Sequence, residues 1–407
     1  MQDDKGRRGP ASGPLRGLRV LDLATVVAGP LASTLLADLG ADVVKIELPD
    51  GRDGLRHLPP HKDGVPLWFK VGNRGKRGIT LDVRTPEGRD LFLRLLADFD
   101  VLVESFRTGT LDRWGLTADV LFGAQPKLTI LRVTGFGQTG PYRGRAGFAR
   151  VFDAMAGFTY LNGAPDGPPM NLGYPLSDAV AGLFGTVGIL AAAYDRLRDP
   201  GAPGQEIDVA ATEAMFRTLD FLAVEYDQLG MVRERTGNQS VYSAPSNIYR
   251  TRDGRWLSLA ISVQSVFERF ARAMDAPELA IDPRFSTNTA RVANRDALDR
   301  RVAGWIAVQD LADVGATLLR HEVSFSPVYS IRDVFEDPHF REREMIVAVH
   351  DRQLGELKMQ NVVPRFSRTP GAIRGTGPDL GEHNAEVFGA LGLGAADLEA
   401  LRARGVV

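Results

Sequence analysis

Short apolar segments alternate with longer amphipathic segments over the first third of the chain. Strand-like runs occur at 18–23, 42–47, 79–83, 101–104 and 128–133, and helical patterns occur at 30–39 and 86–99. Strands that alternate with helices form βαβ units, whose right-handed crossovers make the strands parallel. The pattern therefore predicts an α/β fold built on an open, parallel, Rossmann-like sheet.

The longest apolar run, Gly173 to Arg198, carries one carboxylate near its start, Asp178. Pro175 and Ser177 predict the beginning of a helix with Ser177 as the N-cap. Because no charge occurs between 179 and 194, we expect this helix to be buried on nearly all sides. The run is slightly short for a membrane span. The helix dipole favours an ionised Asp178 at this position, whether or not the carboxylate also has a chemical role.

A strand at 205–209 and a helix at 210–229 follow, and the sequence then changes character at about Met231. A hairpin is predicted at 249–261, because Asp253-Gly254 stands between two β-rich runs. Helical patterns come after the hairpin. We therefore expect a smaller α+β domain over 231–328.

The large domain is expected to combine 17–230 with 329–407, so that the chain returns to it at the end. Residues 1–16 are polar and rich in glycine, proline and arginine. This segment lacks the apolar core of a signal peptide, and we expect a disordered lead-in.

The composition narrows the possible functions. With 49 basic and 51 acidic residues, the net charge of −2 indicates neither a nucleic-acid nor a membrane-surface partner. The chain has no cysteine, which excludes disulfides, thiolate metal sites and a cysteine nucleophile, and which is compatible with the cytoplasmic location that we expect. The six histidines are scattered and His57 and His61 are separated by two prolines, so no metal site is expected.

The stretch from Gly135 to Gly140 satisfies the spacing GxGxxG. A dinucleotide site needs a helix that starts on the last glycines, whereas Pro141 and Gly144 follow here. The stretch also comes late in the sheet rather than after its first strand. We therefore reject NAD or FAD binding and interpret the loop as exposed backbone beside another ligand.

Seven stretches together resemble the class III CoA-transferase family, the group of formyl-CoA, carnitine-CoA and succinyl-CoA:dicarboxylate transferases. They span almost the whole chain in the family's order: LRVLDLATVVAGPLASTLLADLGADVVKIE, NRGKRGITLDVRTPEG, VLVESFRTGTLDRWGL, GFGQTGPYRGRAGF, YPLSDAVAG, DPRFSTNTARVANRDAL and LGEHNAEV. The resemblance implies that Asp178 is a nucleophile that attacks an acyl-CoA thioester and then carries CoA as an aspartyl thioester. It implies no permanently bound cofactor, because CoA is both substrate and part of the covalent intermediate.

The resemblance also implies residues that contact CoA. They come from the matching motifs around the first, third and fourth predicted strands: Val26, Ala28, Lys76, Leu81, Asp82, Val83, Arg84, Ser105, Phe106, Arg107 and Arg113. Arg84, Arg107 and Arg113 are the candidates for the phosphates, since a guanidinium suits phosphate oxygens, and Lys76 is a weaker candidate. For each arginine alone, a solvated surface charge is the alternative interpretation.

The sequence departs from the family's pattern at three places. Ser105 and Thr108 replace the usual asparagine and proline, and Ala149 replaces an acidic residue. The glycine-rich loop of formyl-CoA transferase has no counterpart near 261–264. The first two departures bear on the geometry of the CoA site, and the third favours an acyl group bulkier than formyl or oxalyl.

Two other functions compete with CoA transfer. The racemases of this fold use a histidine and an aspartate as opposed acid and base, but Phe148 stands where that histidine is expected. A catalytically silent acyl-CoA-binding protein is the second alternative, with Asp178 only capping its helix.

The expected partners are an acyl-CoA and a small carboxylic acid. Arg233 and Arg235 are candidates to bind the distal carboxylate of a diacid acceptor, although an ordinary exposed charge cluster is the favoured interpretation of the two residues taken alone. The resemblance further implies a homodimer of two interlocked subunits.

Overall fold

The computed structural model describes residues 12–407, so the predicted lead-in over 1–16 lies largely outside the described residues. The strands are β1 Arg19–Asp22, β2 Asp42–Glu47, β3 His61–Lys62, β4 Val65–Pro66, β5 Arg77–Thr80, β6 Val101–Glu104, β7 Thr129–Thr134, β8 Gln205–Ala210, β9 Ser246–Arg250, β10 Trp256–Ala260, β11 Phe325–Pro327, β12 Ile346–Asp351 and β13 Gly355–Gln360.

The helices have the following bounds, with a short 3₁₀ helix at Pro277–Ala280. They are α1 Ala28–Asp38, α2 Gly54–His57, α3 Leu67–Gly72, α4 Pro86–Leu96, α5 Thr110–Arg113, α6 Ala118–Ala124, α7 Ala149–Met155, α8 Phe158–Leu161, α9 Leu176–Arg198, α10 Ala211–Arg217, α11 Leu222–Leu229, α12 Gln264–Ala273, α13 Asn288–Ala293, α14 Arg295–Ala307, α15 Leu311–Arg320, α16 Ile331–Glu336, α17 Pro338–Glu342, α18 Asn384–Gly389 and α19 Ala395–Ala403.

A six-stranded sheet confirms the predicted α/β class. Its strand order is β5-β2-β1-β6-β7-β8, and every neighbouring pair is parallel. The strand order reverses between β1 and β6. The connections that follow these two adjacent strands therefore lead away in opposite directions. Open α/β sheets bind their ligands at this switch point.

Both faces of this sheet are buried, as expected for parallel strands. Because successive side chains point to opposite faces, Val20 joins one apolar cluster and Leu21 the other. The cluster on the Leu21 side includes Phe388 of α18 and Leu401 of α19, so C-terminal residues complete this core.

The chain divides into two compact units. The first contains residues 12–158, 171–224 and 341–407, and the second contains 159–170 and 225–340. The second unit has an antiparallel sheet in the order β11-β10-β9 with its own core around Phe267 and Phe270. Its β9-β10 hairpin turns at Asp253-Gly254, as predicted, and Gly254 has φ of 78°.

The bounds of the second unit differ from the expected 231–328. Residues 159–170 belong to it because Gly163 O accepts a hydrogen bond from Gly237 N, and Tyr160 O accepts one from Arg235. At the other end, Arg255 forms an ion pair with Asp333 on α16, which keeps the segment after 328 with β10. These links join residues that are distant in sequence, so local pattern did not indicate them.

Two predictions about helices are wrong. The expected helix over 210–229 is two helices, α10 and α11, with Asp220 between them at φ of 48°. The expectation that α9 is buried on nearly all sides also fails, because Val187 and Leu197 are 61% and 81% exposed. By length and composition α9 could cross a membrane, with 39% of its most apolar window buried, but core helices pass the same test.

Candidate active site

Asp178 lies in the first turn of α9, partly buried, at the amino end of the longest helix in the described chain. Burial and, to a smaller extent, the charge of the nearby Asp153 carboxylate together raise the pKa of this carboxyl from 3.8 to about 6. A carboxylate with this pKa is still mostly ionised at neutral pH, and it is more basic than an ordinary aspartate. These are the properties that a nucleophilic carboxylate needs.

The start of α9 is held by a neighbouring helix rather than by its own side chains. The helix begins at Leu176 with Pro175 as N-cap, so the prediction of Ser177 as N-cap is wrong. The Ser177 hydroxyl instead donates to Ala149 O on α7 at 3.0 Å, and its backbone N–H donates to Asp153 Oδ1 at 3.1 Å. Asp153 is a residue that the sequence reasoning missed, although a lone acid in the apolar stretch of α7 was a usable signal.

Two glycines let α9 lie close to the sheet and to α1. A Cβ at Gly182 would lie 2.8 Å from Ala28 O, and one at Gly185 would lie 2.8 Å from the side chain of Leu131. Any larger residue would push the helices apart. This close approach places the turn at Ala28 against α9, at a point one helical turn after Asp178.

The loops after β1, β6 and β7 are tied together at the switch point. Thr25 N donates to Ser105 Oγ at 3.0 Å, and the same hydroxyl donates back to Thr25 O at 3.2 Å. Thr108 Oγ1 donates to Gly137 O at 3.2 Å, which attaches the glycine-rich loop. Ser105 and Thr108, the residues that depart from the family's pattern, therefore make the bonds that join these loops.

Buried carboxylates shape two of these loops. Glu104 Oε2 accepts a hydrogen bond from Phe106 N at 2.8 Å, and burial raises the pKa of Glu104 to about 7. Asp53 Oδ1 accepts from Val26 N at 3.1 Å, while Lys45 Nζ lies 2.9 Å from Asp53 Oδ2. Val26, Ser105 and Phe106 thus lie in one group of loops, and Ala28 begins α1 shortly after Val26. Their contacts with CoA stay predictions.

A cavity of about 190 Å³ opens beside these loops, between α1 and α3. Its lining is mainly apolar and includes Val26, Trp68 and Tyr174. Burial and the charge of Asp178 raise the pKa of Tyr174, which indicates that this tyrosine lies near the carboxylate. Apolar lining with a few polar groups is typical of small-molecule sites.

The structure does not support every predicted CoA contact. Lys76 is fully buried and donates to Asp22 Oδ2 at 2.7 Å and to Asn73 Oδ1 at 2.8 Å. Burial lowers the pKa of Lys76 to about 8. The prediction that Lys76 binds a phosphate is therefore wrong in this geometry, because its ammonium group is enclosed by the polypeptide.

The residues after β5 lie at the carboxyl edge of the sheet but differ in whether their side chains are accessible to a ligand. Leu81 and Val83 are fully buried in the core, so only their backbone could contact CoA. Arg84 forms a bidentate pair with Asp82, at 2.8 and 2.7 Å, which satisfies most of its charge. The side chain of Arg84 therefore has a competing partner.

The arginines after β6 are more accessible. Arg107 is exposed and makes no ion pair with any described residue. Arg113 is exposed on α5 and donates to Thr110 Oγ1 at 2.8 Å, without a carboxylate partner in the described chain. These two guanidinium groups stand closest in sequence to the switch-point loop and are available for phosphate oxygens.

Arg233 and Arg235, the predicted acceptor contacts, lie in the second unit. Arg233 forms a bidentate pair with Glu225, so a diacid would have to displace that carboxylate. Arg235 donates to Tyr160 O at 2.9 Å and stacks over the Tyr160 ring. Their role in acceptor binding stays a prediction.

Comparison with known proteins identifies the family. The sequence model of CoA-transferase family III matches residues 15–384. The chain belongs to CoA-transferase family III. It is therefore a CoA-transferase, and its substrates are CoA thioesters and carboxylates.

The similar proteins cover nearly the full chain. A succinyl-CoA–D-citramalate CoA-transferase of Chloroflexus aurantiacus is 43% identical over 396 residues, which cover 97% of this chain and 98% of that protein. The beta subunit of a succinyl-CoA–L-malate CoA-transferase of the same species is 41% identical over 399 residues, covering 97% and 98%. A crystal structure of a CAIB/BAIF family protein from Brucella suis has a TM-score of 0.83 at 36% identity, covering 93% of this chain and all of that chain.

Proposed function

We propose that this protein moves CoA from succinyl-CoA, or from a similar diacid thioester, to an acceptor diacid through an aspartyl-CoA thioester on Asp178. The observation that carries the proposal is the partly buried Asp178 carboxylate, with a pKa of about 6, beside the switch-point loops. The names of the similar citramalate and malate transferases support the class of substrates.

The proposed reaction balances without metal, redox partner or net proton transfer. An Asp178 oxygen attacks the thioester carbonyl and the CoA thiolate departs, which forms a mixed anhydride between Asp178 and the acyl group. The thiolate then attacks the Asp178 carbonyl carbon, which releases succinate and leaves Asp178 as a CoA thioester. The acceptor carboxylate attacks that thioester, and the thiolate finally attacks the acceptor's acyl carbon, which regenerates the Asp178 carboxylate.

The residues expected to contact the phosphates, the pantetheine arm and the acyl group of the substrate support this proposal. We expect Arg107 and Arg113, which are exposed, to bind phosphates of CoA, and the loops around Val26 and Phe106 to line its pantetheine arm. The cavity beside Trp68 and Tyr174 suits a small acyl group. Phe148 is 75% exposed and offers no proton, so the racemase alternative lacks one of its two groups.

We also propose that the protein functions as a homodimer. Leu183, Val187, Tyr194 and Leu197 of α9 are each more than half exposed in the single chain. A contiguous apolar helix face of this kind marks an interaction surface. A second copy is the simplest occupant, although one similar protein is a beta subunit that implies a two-subunit enzyme.

Mass spectrometry tests the covalent step. The protein is mixed with succinyl-CoA alone, digested, and compared with the Asp178→Ala and Asp178→Asn variants. We expect a CoA adduct on the peptide containing Asp178 and none in either variant. If no adduct forms with a panel of acyl-CoAs while deuterium from solvent enters an α-methylacyl-CoA, the protein is a racemase, and binding without either signal would indicate a silent binder.

A further inference from the structure

The carboxylate of Asp153 supplies the cap that α9 lacks. Asp153 is 2% exposed, and its Oδ1 accepts the backbone N–H of Ser177, the residue directly before Asp178, at 3.1 Å. No side chain of α9 caps its own first turn. The N–H groups of a first helical turn have no partner within the helix, so this bond from α7 fixes the turn that carries the nucleophile.

The hydrogen bond to Ser177 does not by itself require a carboxylate at this position. A neutral acceptor would satisfy the Ser177 N–H equally well, and Asp153 forms no ion pair with any residue between 12 and 407. The carboxylate adds a negative charge close to Asp178. A carboxyl whose pKa is shifted by burial and by a specific neighbouring charge is characteristic of active sites.

We propose that Asp153 is a positioning residue for Asp178, capping the first turn of α9 from α7 and holding a second negative charge beside the nucleophile. The inference rests on the proposed function, because it assigns Asp153 a role only if Asp178 forms the covalent intermediate. Asp153 itself forms no bond with the substrate in this scheme.

The charge of Asp153 affects the free carboxylate of Asp178 and its covalent intermediates differently. While Asp178 is a free carboxylate, the two negative charges repel each other and the nucleophile stays basic. When Asp178 becomes an anhydride or a thioester, its charge is lost and the repulsion disappears. The charge of Asp153 therefore favours the covalent intermediates over the free enzyme.

The elements around α9 carry other charged groups, and several of these have partners of their own. They are Asp38 on α1, paired with Arg74; Arg132 on β7, paired with Glu104 and Glu206; Arg150 on α7; Asp208 on β8; and Glu213 and Arg217 on α10. Of all these groups and Asp153, only Asp153 contributes to the raised pKa of Asp178. Tyr174 responds to the charge of Asp178 and is neutral at the pH of the assay.

The test separates the charge of Asp153 from its hydrogen bond. Asp153→Asn keeps an acceptor for Ser177 N–H and removes the charge, whereas Asp153→Ala removes both. Ser177→Ala is the matched control, because it breaks only the bond from the hydroxyl to Ala149 O. For each protein we would measure kcat/KM against pH with succinyl-CoA and a diacid, and the rate of adduct formation on Asp178.

We expect the acid limb of the Asp153→Asn profile to move to lower pH by roughly 0.5 to 1 unit, since burial alone still raises the pKa of Asp178. Adduct formation should slow by roughly tenfold in Asp153→Asn and by more in Asp153→Ala. Ser177→Ala should leave the position of the acid limb unchanged.

Each outcome is decisive. An acid limb at the wild-type pH in Asp153→Asn, with adduct formation at the wild-type rate, would overturn the inference while leaving the proposed function intact. Slower adduct formation with an unmoved limb in both Asp153 variants would reduce Asp153 to a structural cap and also overturn it. If the wild-type protein forms no adduct at all, the proposed function fails first, and the two failures are thereby distinguished.

Discussion

Asp53 holds Val26 in a left-handed backbone conformation. Val26 has φ of 66°, and its N–H donates to Asp53 Oδ1 at 3.1 Å. Positive φ is a genuine outlier for a β-branched residue and costs on the order of 1–3 kcal/mol. Lys45, fully buried, bonds both Asp53 and Ala24 O, so this strain is maintained by a buried ion pair beneath the switch-point loop.

This relationship predicts that a substitution at Val26 partly restores the stability lost when Asp53 is replaced. Asp53→Ala should lower the free energy of unfolding by about 3–5 kcal/mol, because Lys45 is left as an uncompensated buried charge. Adding Val26→Gly should restore about 1 kcal/mol, since glycine adopts positive φ without strain. Val26→Ala is the matched control, because it removes the two γ-methyl groups but keeps the Cβ and therefore much of the strain. Equal effects of the two Val26 substitutions in urea unfolding would contradict this account.

Arg107 and Arg113 should determine affinity for CoA through its phosphates. Replacing either with alanine should raise the KM for succinyl-CoA by roughly threefold to tenfold, because each removes a charge-assisted bond. Arg84→Ala should have a smaller effect, since Asp82 already pairs with that guanidinium. The control is a truncated succinyl thioester without phosphates, whose KM should be the same for all four proteins. A parallel rise with the truncated thioester would show that these arginines act on the fold instead.

Replacing the Asp178 carboxylate with a neutral amide should make the protein more stable at neutral pH. The folded-state pKa of Asp178, about 6, lies above its ordinary value of 3.8, so ionisation of this group costs stability as pH rises from about 4 to 6. Asp178→Asn should therefore raise the free energy of unfolding by about 1–2 kcal/mol at pH 7.5, and by nothing near pH 3.5. Asp166→Asn, at an exposed loop position, is the control and should show no such pH dependence. A destabilised Asp178→Asn at pH 7.5 would be inconsistent with a penalty for the buried charge.

The apolar face of α9 should be covered in the working enzyme. Val187 is 61% exposed in the single chain, so Val187→Glu would have little effect on a monomer. In a dimer that buries this face, the unpaired carboxylate should lower the mass in light scattering from two chains to one. Val308→Glu, at a 65% exposed position in the second unit, is the control and should leave the mass unchanged. A wild-type protein with the mass of one chain at micromolar concentration would exclude the dimer.

Much of the large domain was predictable because its signals are local. The strands 42–47 and 101–104 are observed with the predicted bounds, since continuous apolar runs between turn residues favour buried parallel strands. The position of Asp178 at the beginning of a long helix was also evident, because proline before an apolar run marks a helix start. Family motifs then indicated the chemistry of that carboxylate.

What only the tertiary structure decided depends on residues that are distant along the chain. Lys76 belongs to an exposed-looking basic stretch, yet the packing encloses its ammonium group against Asp22, 54 positions earlier. Ser177 has the sequence signature of an N-cap, but its hydroxyl bonds Ala149 and Asp153 provides the cap. Helix periodicity and turn preferences describe interactions within a few residues, whereas burial and long-range hydrogen bonds depend on how whole elements pack. For that reason the sequence alone indicated Asp178 as the candidate nucleophile, and only the folded chain showed that Asp153 bonds the helical turn that carries it.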